Sequence, residues 1–247
     1  MPQIPDLADP RYLDEIGWFL YHEKYKRDHF GGTYEEERLA YSRMFLEEVL
    51  GFCGKEQEWL RDKTVVTIGC GCTGDLSVWP AGAKIAVDPL LYVYQKLGIL
   101  IEDAPATSPT LHLSVGIENL PLLDECADLV LCRNALDHMR NPQDALKQIE
   151  RILKPNGFFF LSVDIGGEPT PDEPTVFSEE SLLDLLKNSF EVGTLIDKKP
   201  PHSFGRICRI RTLLHKKKIA GSALDKNGIL EAYIARFKKT CLTSIPA

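Results

Sequence analysis

The chain has 247 residues, 44% of them hydrophobic and 26% charged, enough for one large domain or for one domain with a smaller addition. A net charge of −7 gives no general attraction to nucleic acid or anionic membrane, and no apolar run approaches the ~20 residues that span a bilayer. The first residues lack a basic stretch followed by an apolar one, and seven cysteines form no even framework, so reduced thiols in the cytoplasm are expected.

The region 1–61 reads as a helical cap. Arg11 to Lys26 carries Leu13, Ile16, Phe19 and Leu20 at helical spacing, and Gly31-Gly32 breaks it. Thr33 with Glu36 forms a capping box, opening a helix whose apolar face holds Tyr41, Phe45 and Val49. Aromatic residues crowd the break, Tyr21 and Tyr34 among them, and are candidates for clasping a substrate under a hinged lid.

From Lys63 the pattern alternates between strands and helices. Strands are expected at Val65–Ile68, Ile85–Val87, Leu111–Leu113, Asp128–Cys132 and Gly157–Val163. Asn141 caps the helix before the fifth strand, with Pro142 at its first position and a stripe of Ala145, Ile149 and Leu153. Continuous apolar strands between such helices predict a parallel sheet covered on both faces. Ser178 caps a further helix. Phe190–Ile196 and Ile207–Leu214 are then too closely joined for a helical crossover, so they pair antiparallel. A last helix is expected near Gly228–Lys239, in a segment 217–247 that extends the core 62–216.

The first strand runs into Gly69-Cys70-Gly71-Cys72-Thr73-Gly74, and the second ends at Asp88. Glycines admit a ligand close to bare backbone, and a carboxylate at a strand end can hold two ribose hydroxyls, so a nucleoside cofactor is implied. Cys70 and Cys72 have no second Cys/His pair at ligand spacing, and no metal is expected there. From Lys198 onward 12 basic residues face 2 acidic ones, which suits either a solvated face or a phosphate-bearing partner.

The order resembles the class I S-adenosylmethionine-dependent methyltransferases, and within them the type 11 branch. The resemblance covers about 62–197. It rests on the glycine turn, on Val87-Asp88-Pro89, on Glu118-Asn119-Leu120-Pro121 and on Ala127-Asp128-Leu129-Val130 through Asn134, His138 and Asn141-Pro142. Ile149-Glu150-Arg151-Ile152-Leu153-Lys154-Pro155-Asn156-Gly157 completes it. It implies a Rossmann-like α/β fold: a seven-stranded, mostly parallel sheet with one antiparallel strand and an N-terminal helical cap. By the same resemblance S-adenosylmethionine is held by Gly69, Cys70, Gly71, Gly74, Asp88, Pro89, Ile117, Glu118, Cys132, Arg133 and Asn134. His138 is the candidate general base, since imidazole titrates near neutrality. The implied acceptor is a small molecule and the chain a monomer or homodimer. The alternatives are an RNA or protein methyltransferase using the basic end, or a non-catalytic binding protein. Thr67 and Gly116 stand where the family commonly has acids, and Cys72 lengthens the turn by one residue.

Overall fold

The computed structural model describes residues 9–30, 34–105, 107–201 and 205–216. Seven strands, β1 (Thr64–Ile68), β2 (Ala83–Val87), β3 (Thr110–Leu113), β4 (Ala127–Arg133), β5 (Leu153–Ile165), β6 (Phe190–Lys199) and β7 (Cys208–Lys216), form one sheet. Its order is β3-β2-β1-β4-β5-β7-β6. The first five strands are mutually parallel, and β7 runs antiparallel to both β5 and β6, as the short 200–207 connection requires.

Helices α1 (Pro10–Phe30) and α2 (Tyr34–Cys53) precede the sheet; α3 (Leu91–Leu97), α4 (Pro142–Ile152) and α5 (Glu179–Leu186) are interleaved with it. The strand period of two divides the apolar side chains between two layers. Val66, Val130 and Phe159 pack on one face with Ala145, Leu146, Ile149 and Ile152 of α4 and with Leu182 and Leu186 of α5. Val65, Leu129 and Phe160 pack on the other, with Phe45, Leu46, Val49 and Leu50 of α2 and with Trp79. Both faces are thus dry, which is why β1 and β4 read as continuous apolar runs.

Two caps form as the sequence predicts. The Asn141 side chain accepts the Asp144 amide at 3.2 Å. Ser178 and Ser181 satisfy each other's backbone N–H groups at 3.0 and 2.9 Å. Leu153 departs from the α4 stripe: it is the first residue of β5 and pairs with Ala127 ahead of a register shift. Pro155 offers no N–H there and Asn156 sits at φ 64°, so the strand kinks before Phe158. No helix follows β1. Positive φ at Gly69, Gly71 and Gly74 keeps the chain turning, and it returns to β2 through isolated turns closed by Ser77 N–H to the Gly74 carbonyl and Trp79 N–H to the Leu76 carbonyl.

The cap helices touch the site directly. Phe19 of α1 is buried against Cys72, Leu90, Tyr94, Ile99 and Ile101. Ser42 of α2 donates to the Asp75 carbonyl at 2.7 Å. The 33/36 capping box, Tyr34's side chain and the expected 228–239 helix lie outside the described residues.

Candidate active site

Register places the site. Ile68 pairs with Val87 on one side and Cys132 on the other, so Gly69, Asp88 and Arg133 emerge at one level, where the strand order reverses about β1. Crevices at such switch points are the ligand sites of open α/β sheets.

A cavity of about 380 Å³ opens there, lined by Gly69, Asp88, Pro89, Ile117, Glu118, Asn134 and His138 among others. Asp88 is nearly buried, and its two oxygens accept the Gly71 amide at 2.9 Å and the Leu90 amide at 2.8 Å. A carboxylate offers about four acceptor positions, so an outward pair remains for a diol. Burial raises its pKa, while the Leu90 and Gly71 amides and His138 pull it down. Ile117 is buried at the cavity wall; the Glu118 side chain is exposed.

A second cavity, about 560 Å³, is lined by Trp18, Phe19, Arg38 and Tyr41 from the cap helices and by Cys70, Gly71, Arg133, Glu173 and Arg209 from the sheet side. Glu15, Gly69, Asn134, His138 and Asp172 line both cavities, so the two meet along the C-terminal ends of β1 and β4. Close packing demands glycine at two positions of this junction. A Cβ on Gly69, at φ +64°, falls 2.3 Å from the Ala135 Cβ; one on Gly71 falls 2.6 Å from the Phe19 ring.

Charge around the second cavity is paired. The Arg133 guanidinium lies over Tyr41 and Phe45, 4.5 and 4.7 Å from their ring centres, and donates to the Tyr41 hydroxyl and to Asp75 at 2.5 Å. Burial, with repulsion from Arg209 and Arg38, lowers its pKa to about 9. Arg209 donates to Asp164 at 2.7 Å and to the Asn134 side chain at 2.5 Å, fixing Asn134 at its left-handed φ of 50°. Arg206 is buried on Glu173 at 2.6 Å and on the Gly166 carbonyl at 2.8 Å. Arg211 pairs with Glu48 and Asp197, and Lys198 with Glu179 at 3.0 Å. Much of the basic excess of the described 198–216 segment is therefore consumed in ion pairs and does not form a free stripe.

His138 stands between acids: Nδ1 lies 3.7 Å from Glu15, and Nε2 lies 3.8 Å from Glu173 and 4.0 Å from Asp137. Burial pushes Glu15 up to about 7 against the pull of His138, although 30% of its side chain stays open to the cavity.

Of the residues expected at the cofactor, Gly69, Asp88, Pro89, Ile117, Glu118 and Asn134 meet in the first cavity, and Cys70, Gly71 and Arg133 line the second. Three expected residues lie elsewhere. Cys132 is fully buried in the layer under α4 and lines neither cavity, because β4 continues one residue further before it exits. Gly74 lines neither; it packs against Ser77 and Ile101. Tyr21 is 63% exposed and lines neither, being on the outer face of α1. Asp137, Glu173, Arg209 and Glu15 were not expected. Glu15 falls between the apolar residues of α1, and the others reach the site only through folding.

Two family models, each described as a methyltransferase domain, match residues 66–161 and 114–217. Among curated relatives, a ubiquinone biosynthesis O-methyltransferase of Nitrosomonas europaea is 24% identical over 90% of this chain and 86% of its own. A thiol S-methyltransferase of Rattus norvegicus is 27% identical over 40% of this chain, and a tRNA carboxymethyltransferase of Cellvibrio japonicus 31% identical over 41%. The chain spans only 41% and 33% of those two proteins. A solved 1,6-didemethyltoxoflavin-N1-methyltransferase of Burkholderia thailandensis, with S-adenosylhomocysteine bound, is 19% identical and aligns over 87% of this chain and 93% of its own at a TM-score of 0.52. With the sheet order, the strand-end crevice and these matches together, residues 66–217 are a class I methyltransferase domain, of the kind whose cofactor is S-adenosylmethionine.

Proposed function

We propose that this protein transfers a methyl group from S-adenosylmethionine to a small-molecule acceptor bound in the cavity beneath α1 and α2. The observation that carries this reading is the meeting of the two cavities at Gly69, Asn134 and His138, which gives donor and acceptor separate entries to one point.

The residues present fit the cofactor. Asp88 keeps acceptor positions for the ribose hydroxyls after its two backbone bonds, and charge-assisted bonds of this kind are the strong ones. Val115 and Ile117 supply an apolar wall for the adenine. Gly69 and Gly71 have no room for a Cβ, because Ala135 and the Phe19 ring stand where it would go, so bare backbone borders the cavities at both positions. When bound, the cofactor supplies an electrophilic methyl group on a sulfonium. The protein's own contribution is alignment and exclusion of water, which together supply several kcal/mol of the barrier. Phe19, Trp18 and Tyr41 cover the acceptor side, and the Arg133 and Arg209 ion pairs fix the floor. For an acceptor that must lose a proton, His138 at the junction is the side chain placed to take it.

Purified protein incubated with radiolabelled S-adenosylmethionine and panels of phenols, thiols, amines and short RNAs tests the reading. Label is expected on a small acceptor, with the transfer inhibited by S-adenosylhomocysteine. Failure of calorimetry to show S-adenosylhomocysteine binding, or label on RNA alone, overturns it.

A further inference from the structure

We propose that Asp137, His138 and Glu173 form a binding site for one divalent transition-metal ion at the edge of the acceptor cavity. One ligand atom from each residue lies within 4.8 Å of the others. Three ligands at ~2.0–2.2 Å on a tetrahedral ion stand about 3.4 Å apart, so the 3.8 and 4.0 Å separations close with shifts of about half an ångström.

Asp137 is the independent sign that something belongs there. It has no exposed surface, and among the described residues no other residue gives either carboxylate oxygen a hydrogen bond. Buried carboxylates without partners are rare in native folds, and each one calls for an explanation. The backbone around it is settled, since its carbonyl accepts the Thr175 amide at 3.2 Å and thereby ties the β5–α5 loop to the β4–α4 loop.

The neighbours fit a metal shell. Glu173 is held on its Oε2 by Arg206 at 2.6 Å, while Oε1 is the atom turned to His138. Glu15 stands on the Nδ1 side of His138, which favours the tautomer that presents the Nε2 lone pair to Asp137 and Glu173; carboxylate partners of this kind orient ligating histidines generally. One nitrogen and two carboxylate oxygens suit zinc, cobalt, manganese or iron better than a soft ion. The cysteines take no part: burial keeps Cys70 and Cys132 thiols protonated.

His138 and Glu173 both line the acceptor cavity, so the open coordination position faces the acceptor. In the metal-bound protein Nε2 is a ligand and cannot also take the acceptor's proton; the ion would then favour the ionised acceptor instead. Metal binding is read without cofactor or acceptor, so its failure leaves the methyl-transfer reading standing.

The test uses the full chain stripped by chelator and titrated with Co²⁺, followed by visible absorption, then displaced with Zn²⁺. One Co²⁺ per chain is expected, with Asp137→Asn and His138→Ala each weakening binding at least about tenfold and the exposed control Glu58→Gln leaving it unchanged. X-ray absorption at the zinc edge of the unaltered protein should show an imidazole nitrogen in the shell. Absence of stoichiometric binding, equal affinity in all variants, or a shell without imidazole overturns the site, whether or not the variants fold.

Discussion

Replacing Asp88 by alanine separates the observed job of its carboxylate, accepting two backbone amides, from the proposed one of holding the ribose diol. Hydrogen bonds to a charged group contribute about 1.5–3 kcal/mol, so losing the ribose partner weakens S-adenosylhomocysteine binding about 10- to 150-fold. The same change strands the Gly71 and Leu90 amides, whose bonds to Asp88 are 2.9 and 2.8 Å long. Each buried donor left unmet costs about 1–3 kcal/mol unless water reaches it, so stability falls as well. Calorimetry with the product nucleoside and with an analogue lacking both ribose hydroxyls distinguishes the contributions. The wild-type protein should lose about the same 10- to 150-fold on going to the analogue. The Asp88→Ala protein should bind both ligands alike. A folded variant that still prefers the hydroxylated ligand by the full wild-type factor refutes the assignment, since the diol then has another partner.

Protonation gives a second reading of the same group. Burial holds the Asp88 pKa above its ordinary 3.8 in the folded protein, so its effect on stability is most favourable below 3.8 and is lost as pH rises through the raised value. Diol binding selects the ionised form, so cofactor affinity should climb with pH across that window; a flat profile in calorimetry counts against it. Gly69→Ala forces a Cβ against Ala135 at positive φ, and should cost about 1–3 kcal/mol in urea denaturation together with cofactor affinity. Lys84 is buried and its ammonium donates to Leu76, Asp103 and Thr107 at 3.0, 2.6 and 3.2 Å. Lys84→Met should destabilise by about 3–5 kcal/mol by leaving Asp103 without its cation, with cofactor affinity little changed in the surviving fold. Asn141→Ala removes the α4 cap and should cost about 1 kcal/mol in the same assay.

Strand and cap positions were legible because their causes are local. Asn141-Pro142 and Ser178 carry their capping chemistry in the residues themselves, and the apolar runs of β1 and β4 need only two dry faces. The missing helix after β1 was not legible: glycine turns of this kind commonly open one, and here Gly71, Gly74 and the packing of Phe19 hold the chain in turns instead. Cys132 shows the limit at single-residue scale. Where both faces of a strand are buried, alternation does not say which residue is the last inside, and the strand-end cavity is reached by position along β4 rather than by residue type.

The acceptor side was harder to read for a different reason. Its walls come from segments far apart in sequence: Glu15 from α1, Tyr41 from α2, His138 after β4, Glu173 after β5 and Arg209 from β7. Of these His138 alone belongs to a motif, and each makes an ion pair or ring contact that exists only once the sheet has closed. The antiparallel turn between β6 and β7 is the means, since it carries Arg206 and Arg209 back over the strand ends onto Glu173, Asp164 and Asn134. The basic residues that the sequence offered as a surface for a phosphate-bearing partner are, within the described 198–216, held in ion pairs, and Arg206 is the one whose partner, Glu173, faces His138. On the proposed reading, specificity for the acceptor resides in walls that composition could not assign, while the cofactor half rests on backbone geometry that the glycines announce.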